Sequence, residues 1–409
     1  VIDFLYLAAS LSSEINLEDT LKSAQRIIAI SSLLILFAPL GIDLYLSAFK
    51  IIENDLSDSF FQVSDTLTIY IFTLGLGQLF FGGLSDRYGH QIIIAAGFFL
   101  TALSCLLIVS AGSMEFFMLC RFLQGLGASA LTVVSFAQIR ENFKGVESAR
   151  AYSIVNGCMN IIPTLAPFIG SYFIFGGKWQ GVFYALLFFS ITIGVIIFVL
   201  VWNNGENNHN RSSIISFVQI ASDSNFQKGV LINSLLLSVI FTYVATAPKI
   251  LMNEMNFSAS SFGLIFGLNA AVIMFFSFIQ SKILQKVSPK KSIVSSISLI
   301  LFSSILLVFF SSSTAPLTYM FSIAVFSIGF GSLTGIASAI AMDSFADNPG
   351  KASALMGCTQ MMLSSFISSL LAHSPINPRL SLSYFMLGTA IFLGFLLQKR
   401  LEGTFNHAR

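Results

Sequence analysis

GGLSDRYGHQ, residues 82–91, sets two glycines, an Asp-Arg pair and a third glycine between IYIFTLGLGQLFF (69–81) and IIIAAGFFLTALSCLLIV (92–109), two runs without a charge. A charged hinge this tight, with uncharged runs on both sides, is what a chain needs to turn at a membrane surface between two spans. The composition agrees: of 409 residues, 55% are hydrophobic, 43 are Phe and only 10% are charged, where a soluble domain carries about 25% charged residues. Runs of roughly 20 apolar residues cross a bilayer as helices, and lipid admits only helices or closed barrels. The runs are continuous rather than alternating, which selects helices over barrel strands.

Counting such runs gives spans near 27–49, 62–84, 91–112, 114–137, 149–174 and 180–202, then 229–251, 259–281, 290–312, 315–341, 352–373 and 381–401. Twelve spans put both termini on one side, and Lys/Arg bias sets the side. With the N-terminus in the cytoplasm, only Lys50, Lys178, Lys249 and Arg379 fall outside and Arg121 within a span, leaving sixteen of the 21 basic residues inside. Both termini are therefore expected in the cytoplasm. A formal net charge of +2 gives no reason to expect a nucleic-acid partner.

Other chemistries find little support. Cys105, Cys120, Cys158 and Cys358 lie in apolar runs without a CxxC pair, as small packing residues do. His90, His209, His373 and His407 are scattered too widely for a metal site. There is no P-loop and no nucleophile motif, so neither an ATP-driven machine nor an enzyme is indicated, and no cofactor is expected. The opening VIDFLYLAAS is too short to span and lacks the basic flank of a secretory signal.

The polar interval 203–228 divides the chain into six spans and six. The expected domains are a cytoplasmic extension (1–26), a six-helix bundle (27–202), a cytoplasmic linker (203–228), a second bundle (229–401) and a cytoplasmic tail (402–409). Within the linker, SIISFVQIAS has the pattern of a short helix lying on the membrane surface. Faint self-similarity crosses the divide near an offset of 200. SIVNGC (153–158) faces SALMGC (353–358), SDRYGHQ (85–91) faces LQKVSPK (284–290), and Tyr45 faces Tyr243. A duplicated six-helix unit places a cavity at the midplane between two bundles that rock about it.

The opening stretch thus becomes the cytoplasmic turn between spans two and three. Gly82, Gly83 and Gly89 are expected to give tight turning and close helix approach. Asp86 is placed to cap a helix start nearby or in the other half, and Arg87 to pair with Glu141. Such contacts form a latch when the cytoplasmic side is shut; a topology signal with a capped turn needs the same residues.

GGLSDRYG resembles the G-x-L-a-D-r-x-G signature of the major facilitator superfamily, and the resemblance covers all twelve spans, residues 27–401. RFLQGLGAS (121–129) is similar to the fourth-helix signature of that superfamily. PTLAPFIGS (163–171) is similar to its antiporter motif and, with IDLYLSA (42–48), to the Bcr/CflA drug-resistance branch. The resemblance implies an all-α membrane protein of two pseudo-symmetric six-helix bundles that exports small, amphipathic compounds against protons. It implies a proton gradient as the driving force and a role for Gly157, Pro163, Pro167 and Gly170 in the antiporter-motif helix. Departures are specific: His90 and Gln91 replace two basic residues, Ser47 stands where the branch has Pro, and Ala166 and Ser171 replace glycines. His90 in particular makes the cytoplasmic contact a candidate for pH sensitivity.

Two charges lie deep. Asp43 is about six residues before the outer end of the first span and Arg121 about seven after the outer start of the fourth, each roughly 10 Å down at 1.5 Å per residue. An intramembrane charge costs about 2.5–3.5 kcal/mol on insertion scales and marks a functional site by default. Equal depth makes the two candidate partners in proton coupling, because a carboxylate beside Arg stays ionised and one in a dry cavity takes up a proton. Snorkelling of both to the outer interface would explain the same positions. Pro163 and Pro167 are expected to kink the fifth span. Tyr45, Tyr70, Gln78, Gln124, Asn156, Asn160, Tyr243, Asn269 and Gln360 are the polar or amphipathic candidates for lining the cavity, although interhelical hydrogen bonding suits each as well. The main expectation is a monomeric proton antiporter of small molecules. A proton symporter for a nutrient on the same fold, or a membrane receptor, stands as the alternative.

Overall fold

The computed structural model describes residues 24–56, 59–202, 217–313, 315–342, 345 and 349–401. Most of the expected N-terminal extension, residues 203–216 of the linker and the tail 402–409 lie outside the described residues. Twelve helices among the described residues are long and apolar enough to cross a membrane. The first six are α1 (Ala24–Leu56), α2 (Gln62–Tyr88), α3 (His90–Ile108), α4 (Met114–Asn142), α5 (Arg150–Tyr172) and α6 (Gln180–Val199). The second six are α7 (Ser224–Glu254), α8 (Ala259–Gln280), α9 (Lys290–Phe309), α10 (Pro316–Met342), α11 (Lys351–Ala372) and α12 (Pro378–Leu396). A short helix, Phe217–Ser222, precedes α7 and contains the second half of the expected surface helix. The end of the bundle holding the α2–α3 turn is called the motif face below, and the opposite end the far face.

Local chemistry fixes several ends. Ser113 accepts a hydrogen bond from the Phe116 amide at 3.3 Å and caps α4, with Glu115 in the first turn and Arg140 in the last, both favourable to the helix dipole. Asp223 does the same for α7 through the Phe226 amide at 2.8 Å. The α2–α3 turn is made by Gly89, whose φ of 85° starts α3 in a conformation that suits glycine.

Gly82 and Gly83 correct their expectation. Both lie inside the helix that runs on to Tyr88, and an added Cβ would meet nothing within 4 Å at either. Turning is confined to Gly89, so the two other glycines leave open space beside α2 on the motif face.

In the first half, α4 packs between α2 and α3, and α3 against α6; in the second, α7, α8 and α9 pack on α10 while α12 covers α9. Two seams join the halves: α5 lies on α8 and α2 on α11. Without a hydrophobic drive between helices in lipid, small residues allow close backbone approach. Gly263 of α8 places its Cα where a Cβ would come within 2.6–2.8 Å of the Pro167 and Phe168 backbone. The helix containing Pro163 and Pro167 is continuous from Gly145 to Tyr172.

Candidate functional site

The span α1 is broken. Its α-helix ends at Asp43, a 3-10 turn follows over Leu46–Ala48, and helix resumes at Phe49. Gly170 of α5 seats this break: a Cβ there would clash with the Leu44 carbonyl oxygen and lie 3.1 Å from Ser47 Oγ. The antiporter-motif helix is thus docked, through its glycine, on the residue after Asp43.

Arg121 has no exposed surface and is held on all sides. Its Nη2 donates to the Gly41 carbonyl at 2.7 Å, its Nε to the Thr66 carbonyl at 3.5 Å, and its Nη1 to Gln124 Oε1. The guanidinium carbon lies 4.2 Å from the ring centre of Tyr45 and 4.4 Å from that of Tyr70, within cation–π range. Gln124 in turn donates to Cys105 Sγ at 3.1 Å, and Tyr70 Oη to the carbonyls of Phe37 and Ala38 at 3.1 and 3.0 Å.

The expected Asp43–Arg121 pair therefore does not form. Depth matched, but the side chains point to different surroundings, with Arg121 in the interior of the first half and Asp43 on the wall of a cavity. Among the described residues no hydrogen bond or ion pair engages the Asp43 carboxyl. Neither charge snorkels: Asp43 is 3% exposed and Arg121 0%.

The cavity lies between the halves and measures about 1110 Å³. From Asp43 and Ile42 it extends to Gln280, Ile293 and Ile340, at the motif-face ends of α8, α9 and α10. Among the described residues, Asp43 is the one carboxylate in its lining, and no Lys, Arg or His lines it. Five of the nine polar candidates are there: Asn156, Asn160, Tyr243, Asn269 and Gln360. Tyr45, Tyr70 and Gln124 instead cage Arg121, and Gln78 contacts Gly357 at the α2–α11 seam. Sequence reading separates these groups poorly because a helix alternates cavity and seam within one turn. It also missed the apolar wall: Tyr243 stacks on Phe266 with centroids 5.6 Å apart and planes at 7°, beside Phe241 and Phe330. Ser327 Oγ donates to Asn269 Oδ1 at 2.8 Å and fixes the amide next to this pair. Pro163 lines the cavity, and a Cβ added at Gly157 would meet Phe278 at an ordinary 3.7 Å.

Polar contacts bridge the halves at the far face. Lys50 Nζ donates to the Met252 carbonyl at 3.0 Å, Asn253 Nδ2 to Glu53 Oε2 at 2.8 Å, and Asp65 meets His373 at 3.3 Å and Ser369 at 3.4 Å. Lys249–Glu254, the end of α7, is wound as a π-helix, a form frequent at functional sites, and Glu254 is anchored by Arg379 at 2.8 Å.

On the motif face the expected Arg87–Glu141 pair is replaced. Glu141 Oε2 contacts His90 Nε2 at 2.8 Å, and Arg140 lies 3.4 Å from Glu141 and 3.8 Å from Asp86. Arg87 extends over the ring of Tyr88 at 5.2 Å. Asp86 does not cap α3, which begins after Gly89 without a side-chain cap. The residue that departs from the resembled signature, His90, fills the basic role, with Ser85 Oγ 2.8 Å from its Nδ1.

The sequence profile described as Major Facilitator Superfamily matches residues 31–369. The chain belongs to the major facilitator superfamily. Among its relatives in that superfamily is the multidrug resistance protein MdtL of Klebsiella pneumoniae, 28% identical over 358 residues, covering 86% of this chain and 90% of the relative. MdtL of Shigella flexneri serotype 5b is 30% identical over 341 residues, covering 83% and 86%. The fold is shared with a D-xylose-proton symporter at a TM-score of 0.73 and 12% identity, over 90% of this chain and 96% of the other. The inward open xylose transporter XylE of E. coli gives 0.71 at 13% identity, over 91% and 96%. This facilitator is a multi-pass membrane protein of the class that carries small molecules.

Proposed function

We propose that this facilitator exports small amphipathic organic compounds across the bacterial inner membrane in exchange for protons, acting as a monomer, with its motif face and both termini in the cytoplasm. The observation that supports the reading best is the cavity: about 1110 Å³ between the halves, with aromatic walls and one unpartnered carboxylate, Asp43. Pockets of about 300–1,000 Å³ hold drug-sized ligands, so there is room for such a compound and water. The printed names of the relatives, multidrug resistance proteins, favour export, as does the Bcr/CflA-like motif PTLAPFIGS. Lys/Arg bias favours a cytoplasmic motif face.

With Arg121 committed elsewhere, the Asp43 carboxyl has the cavity's contents as its partner. A substrate that displaces water from it and a proton that neutralises it compete for one place. Closure of the motif face and release of the far-face contacts of Lys50, Glu53 and Asp65 would then exchange the side to which that place is exposed. The test is purified protein in liposomes with an imposed pH gradient and an internal pH dye, wild type beside Asp43→Asn. Addition of a cationic dye or a chloramphenicol-like compound is expected to trigger proton movement opposite to the compound in wild type and none in Asp43→Asn. Co-directional movement would establish a symporter, and flux surviving in Asp43→Asn would remove Asp43 from coupling.

A further inference from the structure

Several polar side chains in the cavity are already engaged by the protein. Asn233 donates to Ser338 at 3.1 Å, Gln280 to Ser292 at 2.5 Å, and Asn269 accepts from Ser327. The carboxamides of Asn156, Asn160 and Gln360 line the same cavity and have no partner among the described residues. Each offers two donors and an acceptor.

Two of the three are equivalent by the internal repeat. The offset of 200 that aligns SIVNGC with SALMGC also aligns Asn160 with Gln360. Their depths agree: Asn160 precedes Tyr172, the far-face end of α5, by twelve residues and Gln360 precedes Ala372, the far-face end of α11, by twelve. At 1.5 Å per residue each lies about 18 Å from the far-face end of its helix. The packing supports the same register independently. Gly157, one turn before Asn160, faces Phe278 of α8, and Gly357, one turn before Gln360, faces Gln78 of α2. Each glycine thus faces a helix of the opposite half, one at each seam. Asn156 has no such counterpart, since its equivalent is Met356.

We propose that Asn160 and Gln360 form a two-sided carboxamide clamp that reads an uncharged hydrogen-bonding group of the substrate, an amide, hydroxyl or carbonyl, from both halves at once. The proposal rests on the reading of this cavity as the substrate site, and adds a substrate class that Asp43 alone would not select. A carboxamide donates and accepts, so it can hold a neutral polar group without a fixed charge to neutralise. Because the two residues belong to different halves, a substrate between them bridges bodies that must move relative to one another. The clamp therefore bears on specificity and on closure of the motif face together.

The test is equilibrium binding to purified protein, which needs no proton flux and so stands apart from the Asp43 experiment. The probes are chloramphenicol, neutral and bearing amide and hydroxyl groups, and tetraphenylphosphonium, which has no hydrogen-bonding group. Asn160→Leu and Gln360→Leu are each expected to weaken chloramphenicol binding about 3- to 10-fold, the effect of one hydrogen bond, and to leave tetraphenylphosphonium within about 2-fold. The double variant should lose less than the product of the single losses, since one substrate group is held by both. The exchange of the two carboxamides, Asn160→Gln with Gln360→Asn, should restore most of the binding and guards against a leucine variant that merely misfolds. Equal losses for both probes, independent effects in the double variant, or wild type that fails to bind chloramphenicol would each overturn the clamp.

Discussion

Gly170→Ala is expected to unseat the break in α1 that presents Asp43. An alanine Cβ at this position would clash with the Leu44 carbonyl oxygen and lie 3.0 Å from the carbonyl carbon. Both atoms are backbone, so no side-chain rotation relieves the contact, and α5 and α1 must separate. Overpacking of this kind costs about 1–3 kcal/mol, and a backbone obstacle places it toward the upper part. Replacing a helical glycine by alanine returns about 0.8–1 kcal/mol, leaving a net loss of about 1–2 kcal/mol. Gly82→Ala and Gly83→Ala are the controls: with nothing within 4 Å of either, each keeps only the propensity gain. Thermal unfolding in detergent should therefore move down for Gly170→Ala and stay level or rise for the other two. Proton antiport in liposomes should fall further in Gly170→Ala than stability alone explains, because Leu44 adjoins Asp43. A Gly170→Ala protein as stable and as active as wild type would refute the seating of α5 on the break.

Two further outcomes concern the charges away from the cavity. Arg121→Lys retains the charge but not the planar fork that reaches Gly41, Thr66 and Gln124 together. It is expected to cost about 2 kcal/mol or more from unmet buried groups, seen as a lower unfolding temperature; an unchanged temperature would count against the cage. At the far face, His373→Ala and Asp65→Asn each remove a half-exposed contact between the halves worth about 0.2–1 kcal/mol, and should lengthen a spin-label distance between positions 54 and 255.

The span count was legible because hydrophobicity and length alone decide it, and each expected run overlaps one of α1 to α12. The twofold organisation was legible more faintly, through a few matched residues at an offset of 200. What the sequence did not disclose was direction. Arg87 and Arg140 are equally plausible neighbours of Glu141 by spacing, and only the azimuth of α4 gives Glu141 to His90 and Arg140. Depth arithmetic is one-dimensional in the same way: it placed Asp43 and Arg121 at one level and was silent on the rotation that separates them. Tyr45, Tyr70, Gln78 and Gln124 were drawn into the cavity on polarity, whereas burial of Arg121 and the α2–α11 seam had prior need of them. The aromatic wall was unreadable because Phe serves lipid and cavity alike.

The separation of Arg121 from Asp43 changes what each charge can do. A buried guanidinium needs its donors met, and here they are met by carbonyls of α1 and α2 and by Gln124, all within the first half. Arg121 thus ties α4 to the stretch of α1 just before the break, while Gly170 ties α5 to the stretch just after it. Asp43 is held between these two anchors by its backbone, and its side chain is left without an internal partner. A carboxyl positioned by others and engaged by none answers to whatever enters the cavity. Under the proposed exchange, an Asp43–Arg121 ion pair would have to be broken by substrate, whereas the observed arrangement leaves only water or a proton to displace.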